Sequence, residues 1–138
     1  MKMLTFQAKH FGWEPFSKTL PDVVDVQEGD RVEDAIVVFL HLEAKDENTE
    51  ERSRVFRHTL KHIKWLANKR SFRNVVLHSF THLGAENADA EFALAFMEEM
   101  AERLRSTDYT VWLTPFGYFC EWSLSVYGES LAKVWKSV

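Results

Sequence analysis

Six histidines and a single cysteine are the side chains of this sequence whose chemistry could exceed packing and plain charge. His58 and His62 stand four apart in a segment that reads as helix. That spacing places two imidazoles on one face and can hold zinc when a third ligand joins. No glutamate lies between them in the metalloprotease pattern, and Arg57, Lys61 and Lys64 around them repel a cation. The expectation is no metal and no cofactor. His78 and His82 are also four apart, but they span a strand end and a loop, where the helical argument fails. His82 follows a buried strand, and loops at strand ends of α/β sheets are where ligands bind. It reads either as a cleft histidine or as one bonded to its own turn. Cys120 could pair with it as a thiolate nucleophile. Cys120 also shares a strand face with Trp122 and Leu124, where a thiol behaves as a small hydrophobe. The glycines (Gly12, Gly29, Gly84, Gly117, Gly128) are scattered, so there is neither a phosphate-cradling loop nor a Gly-x-Ser-x-Gly elbow.

The elements that must position these groups are legible from periodicity. Leu4, Phe6 and Ala8 alternate with polar residues as in a half-buried strand. Ala35 to Leu42 is a continuous apolar run, the pattern of a central strand covered on both faces. Pro21 to Arg31 reads as a loop. Asn48, with Glu51 three residues on, makes a helix-capping pattern. The helix that follows, Thr49 to about Asn68, carries Phe56, Leu60, Ile63 and Ala67 on one face. Val75 to His78 is a short strand that enters the His82 loop. Ala90 to Arg105 is a second helix, with Phe92, Phe96, Met100 and Leu104 at core spacing. Tyr109 to Leu113 is a strand, Thr114 to Gly117 a turn, and Phe119 to Val126 a last alternating strand. The short turn between the final two strands predicts that they pair antiparallel, and a short helix is expected after them. Strands interleaved with helices give an α/β fold, a mixed β-sheet flanked by two main helices.

At 138 residues and 16.2 kDa, with 46% hydrophobic residues, the chain is expected to form one domain over residues 1–138. Eleven Phe and five Trp exclude a solvated coil. No run approaches the ~20 apolar residues of a membrane span, and Met1-Lys2-Met3-Leu4 does not read as a signal peptide. One cysteine permits no internal disulfide, so a reducing cytoplasm is the expected compartment. The net charge of -4 argues against broad nucleic-acid binding. It hides an asymmetry, however: eight basic residues and no acid lie between Arg52 and Arg73, whereas Glu86 to Glu102 is acidic. The basic run is either a solvated helix face or a patch for phosphates.

Two segments taken together resemble a known family. Val75-Val76-Leu77-His78-Ser79-Phe80-Thr81-His82-Leu83 is similar to the strand-plus-"PFAHL" motif of the archaeal threonyl-tRNA synthetase editing domain. Thr114-Pro115-Phe116-Gly117-Tyr118 is similar to its "APFGY" turn, and the ending Tyr127 to Ala132 fits the same order. The resemblance covers nearly the whole chain. It implies a D-aminoacyl-tRNA deacylase-like fold, a homodimer, and hydrolysis of serine wrongly esterified to threonine tRNA, without metal. Threonine exceeds serine by one methyl, worth only about 1–3 kcal/mol in a pocket, so a second sieve is needed.

Carried over by position, His82 matches the family's active-site histidine, and Thr81 stands where the family has alanine. Pro115, Phe116, Gly117, Tyr118 and Phe119 fall in its substrate-binding turn. The family's functional lysine is replaced by Cys120, and the glutamate of its "PLAE" ending by Lys133. Lys133 or Glu121 could substitute from nearby, although Glu121 should face away from Cys120. The implied partners are the 3′ end of an aminoacyl-tRNA, a second copy of the chain and a threonyl-tRNA synthetase, with no membrane. The implied activity is that of a freestanding aminoacyl-tRNA deacylase. Loss of the lysine and the glutamate leaves open a catalytically degenerate tRNA- or protein-binding module.

Overall fold

A computed structural model describes residues 1–138. The elements are β1 (Lys2–Lys18), β2 (Asp30–His41), α1 (Thr49–Asn68), β3 (Asn74–Ser79), α2 (Ala90–Arg105), β4 (Thr110–Leu113), β5 (Tyr118–Val126) and β6 (Lys133–Ser137). They build one six-stranded mixed sheet in the order β4-β3-β2-β1-β5, with β6 also on β1. β1 runs antiparallel to β2, β5 and β6, whereas β2, β3 and β4 are parallel.

The helices start and stop where their residues say they should. Asn48 caps α1 through its side chain, which accepts the N–H groups of Glu50 at 3.1 Å and Glu51 at 3.4 Å. Those two acids sit in the first turn, on the favourable end of the helix dipole. Phe56, Ile63, Leu66 and Ala67 of α1 pack with Phe96, Met100 and Leu104 of α2 on the sheet face that presents Ile36, Val38, Leu40, Val75 and Leu77. Both helices therefore cover the same face. The opposite face holds a second cluster, Ala8, Phe11, Trp13, Val32, Val37, Phe39 and Val76, to which no helix contributes.

The sheet itself covers that second face. Leu113 at the end of β4 aligns through Leu77 and Val38 with Thr5, near the start of β1. Tyr118 at the start of β5 pairs instead with Lys18, at the far end of β1. The link between them can reach at most ~18 Å, less than the ~19 Å across four strand spacings of a flat sheet. The sheet must roll. It bends at irregularities between Ala8 and His10 and between Pro15 and Ser17 of β1. Trp122 of β5 consequently lies edge-on to Phe39 of β2, with ring centres 5.4 Å apart.

Three expectations are corrected here. β4 and β5 are not an antiparallel pair, because the turn between them crosses the mouth of the roll instead of closing a hairpin. β1 continues well past Ala8, sustained by pairing on both edges. The chain ends in β6 after a 3-10 turn at Ser130–Ala132, where only a short helix was expected. Pairing of β6 with distant Lys2 to Phe6, not local propensity, makes it a strand.

The basic run is largely spent on structure. Arg52 pairs with Glu99 across the two helices and lies over the rings of Phe56 and Phe96. Arg54 pairs with Glu51, and Arg70 pairs with Glu129 while stacking on Tyr127 at 3.8 Å. Arg57 and Lys61 point into solvent.

Candidate functional site

The parallel strands end near one another, and the roll brings the Thr114–Gly117 turn over those ends. Between them lies a cavity of about 310 Å³. One wall comes from β3 and the loop that follows it. His78, the penultimate residue of β3, is buried beside Phe39 (ring centres 4.8 Å apart), Phe11 and Phe80. Its Nδ1 lies 2.8 Å from the Thr114 hydroxyl. Burial pushes its pKa down to about 4, so this imidazole is neutral at pH 7. Its Nε2 has no protein partner and is not sealed from the cavity that His78 lines. The chain then turns outward, held by Phe80 N–H donating to the Leu40 carbonyl and Ala88 N–H to the Leu42 carbonyl. On this loop Thr81 and His82 are exposed, and the His82 ring stands edge-on to Phe80 at 5.1 Å.

The other wall is the turn and the start of β5. Gly117 has φ +78, and a Cβ there would meet Val23 Cγ1 at 2.6 Å, so the turn requires glycine. Its carbonyl accepts the N–H of Thr19 at 2.7 Å. The Tyr118 hydroxyl accepts the N–H of Val26 at 2.9 Å and donates to the Val24 carbonyl at 3.0 Å. Tyr118 thus presents its ring to the cavity while its oxygen ties down the chain after β1. The N–H groups of Phe116 and Gly117 donate to no protein acceptor. Cys120 is half-buried, and desolvation pushes its thiol pKa up, which keeps it protonated at neutral pH.

Thr81, His82, Pro115, Phe116, Gly117, Tyr118, Phe119 and Cys120 all line this one cavity. Lys133 does not. It opens β6 opposite Phe6, and its Nζ lies 3.3 Å from the Gly128 carbonyl, away from the cavity. Glu121 is also outside, in a shallow groove with Trp13 and Arg31. Sequence reasoning missed His78, Asn87, Met97 and Trp122 as lining residues. His78 carried a signal, its place at a strand end just ahead of His82; Asn87 carried none. His58 and His62 part company: His58 is exposed, whereas His62 is buried against Thr5 Oγ1 at 3.1 Å. Burial, with Lys136 nearby, pushes His62 down to about 4. No group of three His, Cys, Asp or Glu side chains gathers as metal ligands do, and no helix is long and apolar enough to cross a membrane.

Chemically, the cavity offers an accessible imidazole, a neutral imidazole deeper in, free main-chain donors and apolar rings. An imidazole can take a proton from water, and fixed N–H groups can receive a developing oxyanion.

Comparisons with known proteins bear on the family and the fold. The threonine–tRNA ligase of Thermococcus onnurineus is 29% identical over 141 residues, covering 100% of this chain and 22% of the ligase. That of Thermofilum pendens is likewise 29% identical over 141 residues, with the same coverage of each. The chain therefore spans about a fifth of the length of these relatives. Among solved structures, the c-Myc DNA unwinding element binding protein superposes with a TM-score of 0.69 at 15% identity, over 100% of this chain and 99% of that one. This likeness bears on the fold alone, which is the D-aminoacyl-tRNA deacylase-like one that the resemblance implied. The family described as the archaea-specific editing domain of threonyl-tRNA synthetase matches all of residues 1–138, and the chain belongs to it.

Proposed function

We propose that this domain hydrolyses the ester joining a small amino acid, serine foremost, to the 3′ end of a transfer RNA. The carrying observation is that an exposed imidazole and unpartnered main-chain donors share one small cavity. Its volume of about 310 Å³ is at the lower end for ligand pockets, which suits an aminoacyl group with part of its ribose. In this reading His82 takes a proton from a water that attacks the ester carbonyl carbon. The Phe116 and Gly117 N–H groups receive the negative charge on the carbonyl oxygen. The bond to the ribose oxygen then breaks, and that oxygen takes the proton back. The ester is already activated, so positioning and oxyanion donors suffice. Family membership supports the rest of the reading: a homodimer that meets the 3′ end of tRNA in the cytoplasm, in company with threonyl-tRNA synthetase.

A second reading is favoured by one observation. The position of the family lysine holds a protonated thiol, and Lys133 lies too far round the sheet to replace it. The domain would then bind charged tRNA without hydrolysing it.

Incubation with seryl-, threonyl- and D-aminoacyl-tRNA decides between them. Serine release is expected to outpace threonine release and to fall ~10²-fold or more in His82→Ala. Retention of seryl-tRNA with no serine released would overturn the hydrolytic reading and leave the binding one.

A further inference from the structure

His41, the last residue of β2, is fully buried, and its side-chain hydrogen bonds all go to the loop that carries His82. The N–H of Leu83 donates to its Nδ1 at 3.1 Å. A main-chain amide can only donate, so Nδ1 must be bare, and a neutral imidazole with a bare Nδ1 carries its proton on Nε2. That N–H has two acceptors, the Glu86 carbonyl at 2.9 Å and Asn87 Oδ1 at 2.7 Å. Were the Asn87 amide turned over, its NH2 group would confront the Nε2–H. The tautomer of a buried histidine therefore decides which way an exposed asparagine points.

Asn87 lines the cavity, and its Nδ2 has no partner within the protein. We infer that Asn87 is a substrate-binding residue whose Nδ2 donates to the carbonyl oxygen of the bound ester, and that His41 is the positioning residue that orients it. This rests on the proposed ester hydrolysis. It adds a side-chain donor to the Phe116 and Gly117 N–H groups of that reading, where the wall bearing Cys120 offers none of useful strength. A neutral amide held from beneath loses little freedom when it binds an oxygen, which is the condition for an effective oxyanion donor.

The decisive variant is Asn87→Asp. It keeps an oxygen for His41 and puts a carboxylate oxygen where the donor was. With seryl-tRNA, kcat is expected to fall ~10²–10³-fold, the usual loss for one such donor, at unchanged thermal midpoint. Asn87→Ala should lose less, since water can enter the space. His41→Gln should lower kcat more than it raises KM, and should add nothing to Asn87→Ala in the double variant. A merely structural histidine would add its effect in full. If His41→Gln does not fold, the Asn87 variants carry the test. Binding of 3′-serylamino-3′-deoxyadenosine, a non-hydrolysable amide with the same carbonyl oxygen, gives an independent readout. Weaker binding to Asn87→Asp than to the wild type supports the inference even where no hydrolysis is seen. Serine release and analogue binding equal to wild type in Asn87→Asp overturn it while leaving the hydrolytic reading intact. A wild-type protein that neither releases serine nor binds the analogue overturns both.

Discussion

The two walls of the cavity spend their hydrogen bonds in opposite directions. On the wall built from β3 and its loop, side chains are tied by their own hydrogen bonds: His78 reaches across to Thr114 of the turn, and Asn87 is held from beneath by His41. Both residues line the cavity. On the wall built from the turn and β5, the Gly117 carbonyl and the Tyr118 hydroxyl face outward and hold Thr19, Val24 and Val26. The residues lining the cavity from this side contribute aromatic rings, a thiol and two N–H groups without a protein acceptor. Reactive side chains thus sit on one wall, while shape and fixed dipoles sit on the other. With Cys120 a neutral thiol, the second wall carries no charged side chain.

That contrast breaks most visibly under acid. His78 has a folded pKa of about 4 against 6.5 when free, because burial penalises its charged form. A depressed histidine contributes stability that is fully present above pH 6.5 and lost as pH falls toward 4, up to ~3 kcal/mol. His62, also near 4, behaves alike on the helix-covered side. The urea midpoint should fall between pH 7 and pH 4, and His78→Asn should remove about half of that fall. An unchanged pH profile in His78→Asn would show that the first wall is not built on a neutral imidazole.

Next in size is the turn. Gly117→Ala is expected to cost about 2 kcal/mol, from the left-handed backbone and the crowding against Val23, read as a shift in denaturation midpoint. Thr114→Val joins the two walls in one test. It strips His78 Nδ1 of its partner and should cost about 1–2 kcal/mol in the same measurement. The smallest effect concerns Cys120. Its thiol should react with iodoacetamide at pH 7 more slowly than free cysteine, and Cys120→Ser should leave serine release unchanged. Fast labelling with loss of activity would move the chemistry to the second wall.

Much of this was legible beforehand. The bounds of α1 and α2 follow from an asparagine cap and from apolar residues at three- and four-residue spacing, both local signals. The continuous run in β2 announced a strand buried on both faces, and Val37 and Val38 are indeed fully buried on opposite sides. His82 and the Pro115–Phe119 turn could be named because they sit in short segments of recognisable pattern. Asn87 could not, since a polar residue in a polar loop looks the same whether or not a buried histidine grips it. Neither could β6, a short edge strand whose only reason to extend lies at the opposite end of the chain.

Composition and periodicity by themselves determined the class of fold and the two helices, because those depend on neighbours close along the chain. The two segments that meet at the cavity were marked by the resemblance to a family. The tertiary structure alone decided that β4 and β5 part company, that Lys133 stands away from the cavity, that Tyr118 spends its hydroxyl on the scaffold and that Asn87 turns its NH2 outward. Each of those outcomes depends on partners distant in sequence. Hydrogen-bond direction and the roll of a sheet are settled only when those partners meet.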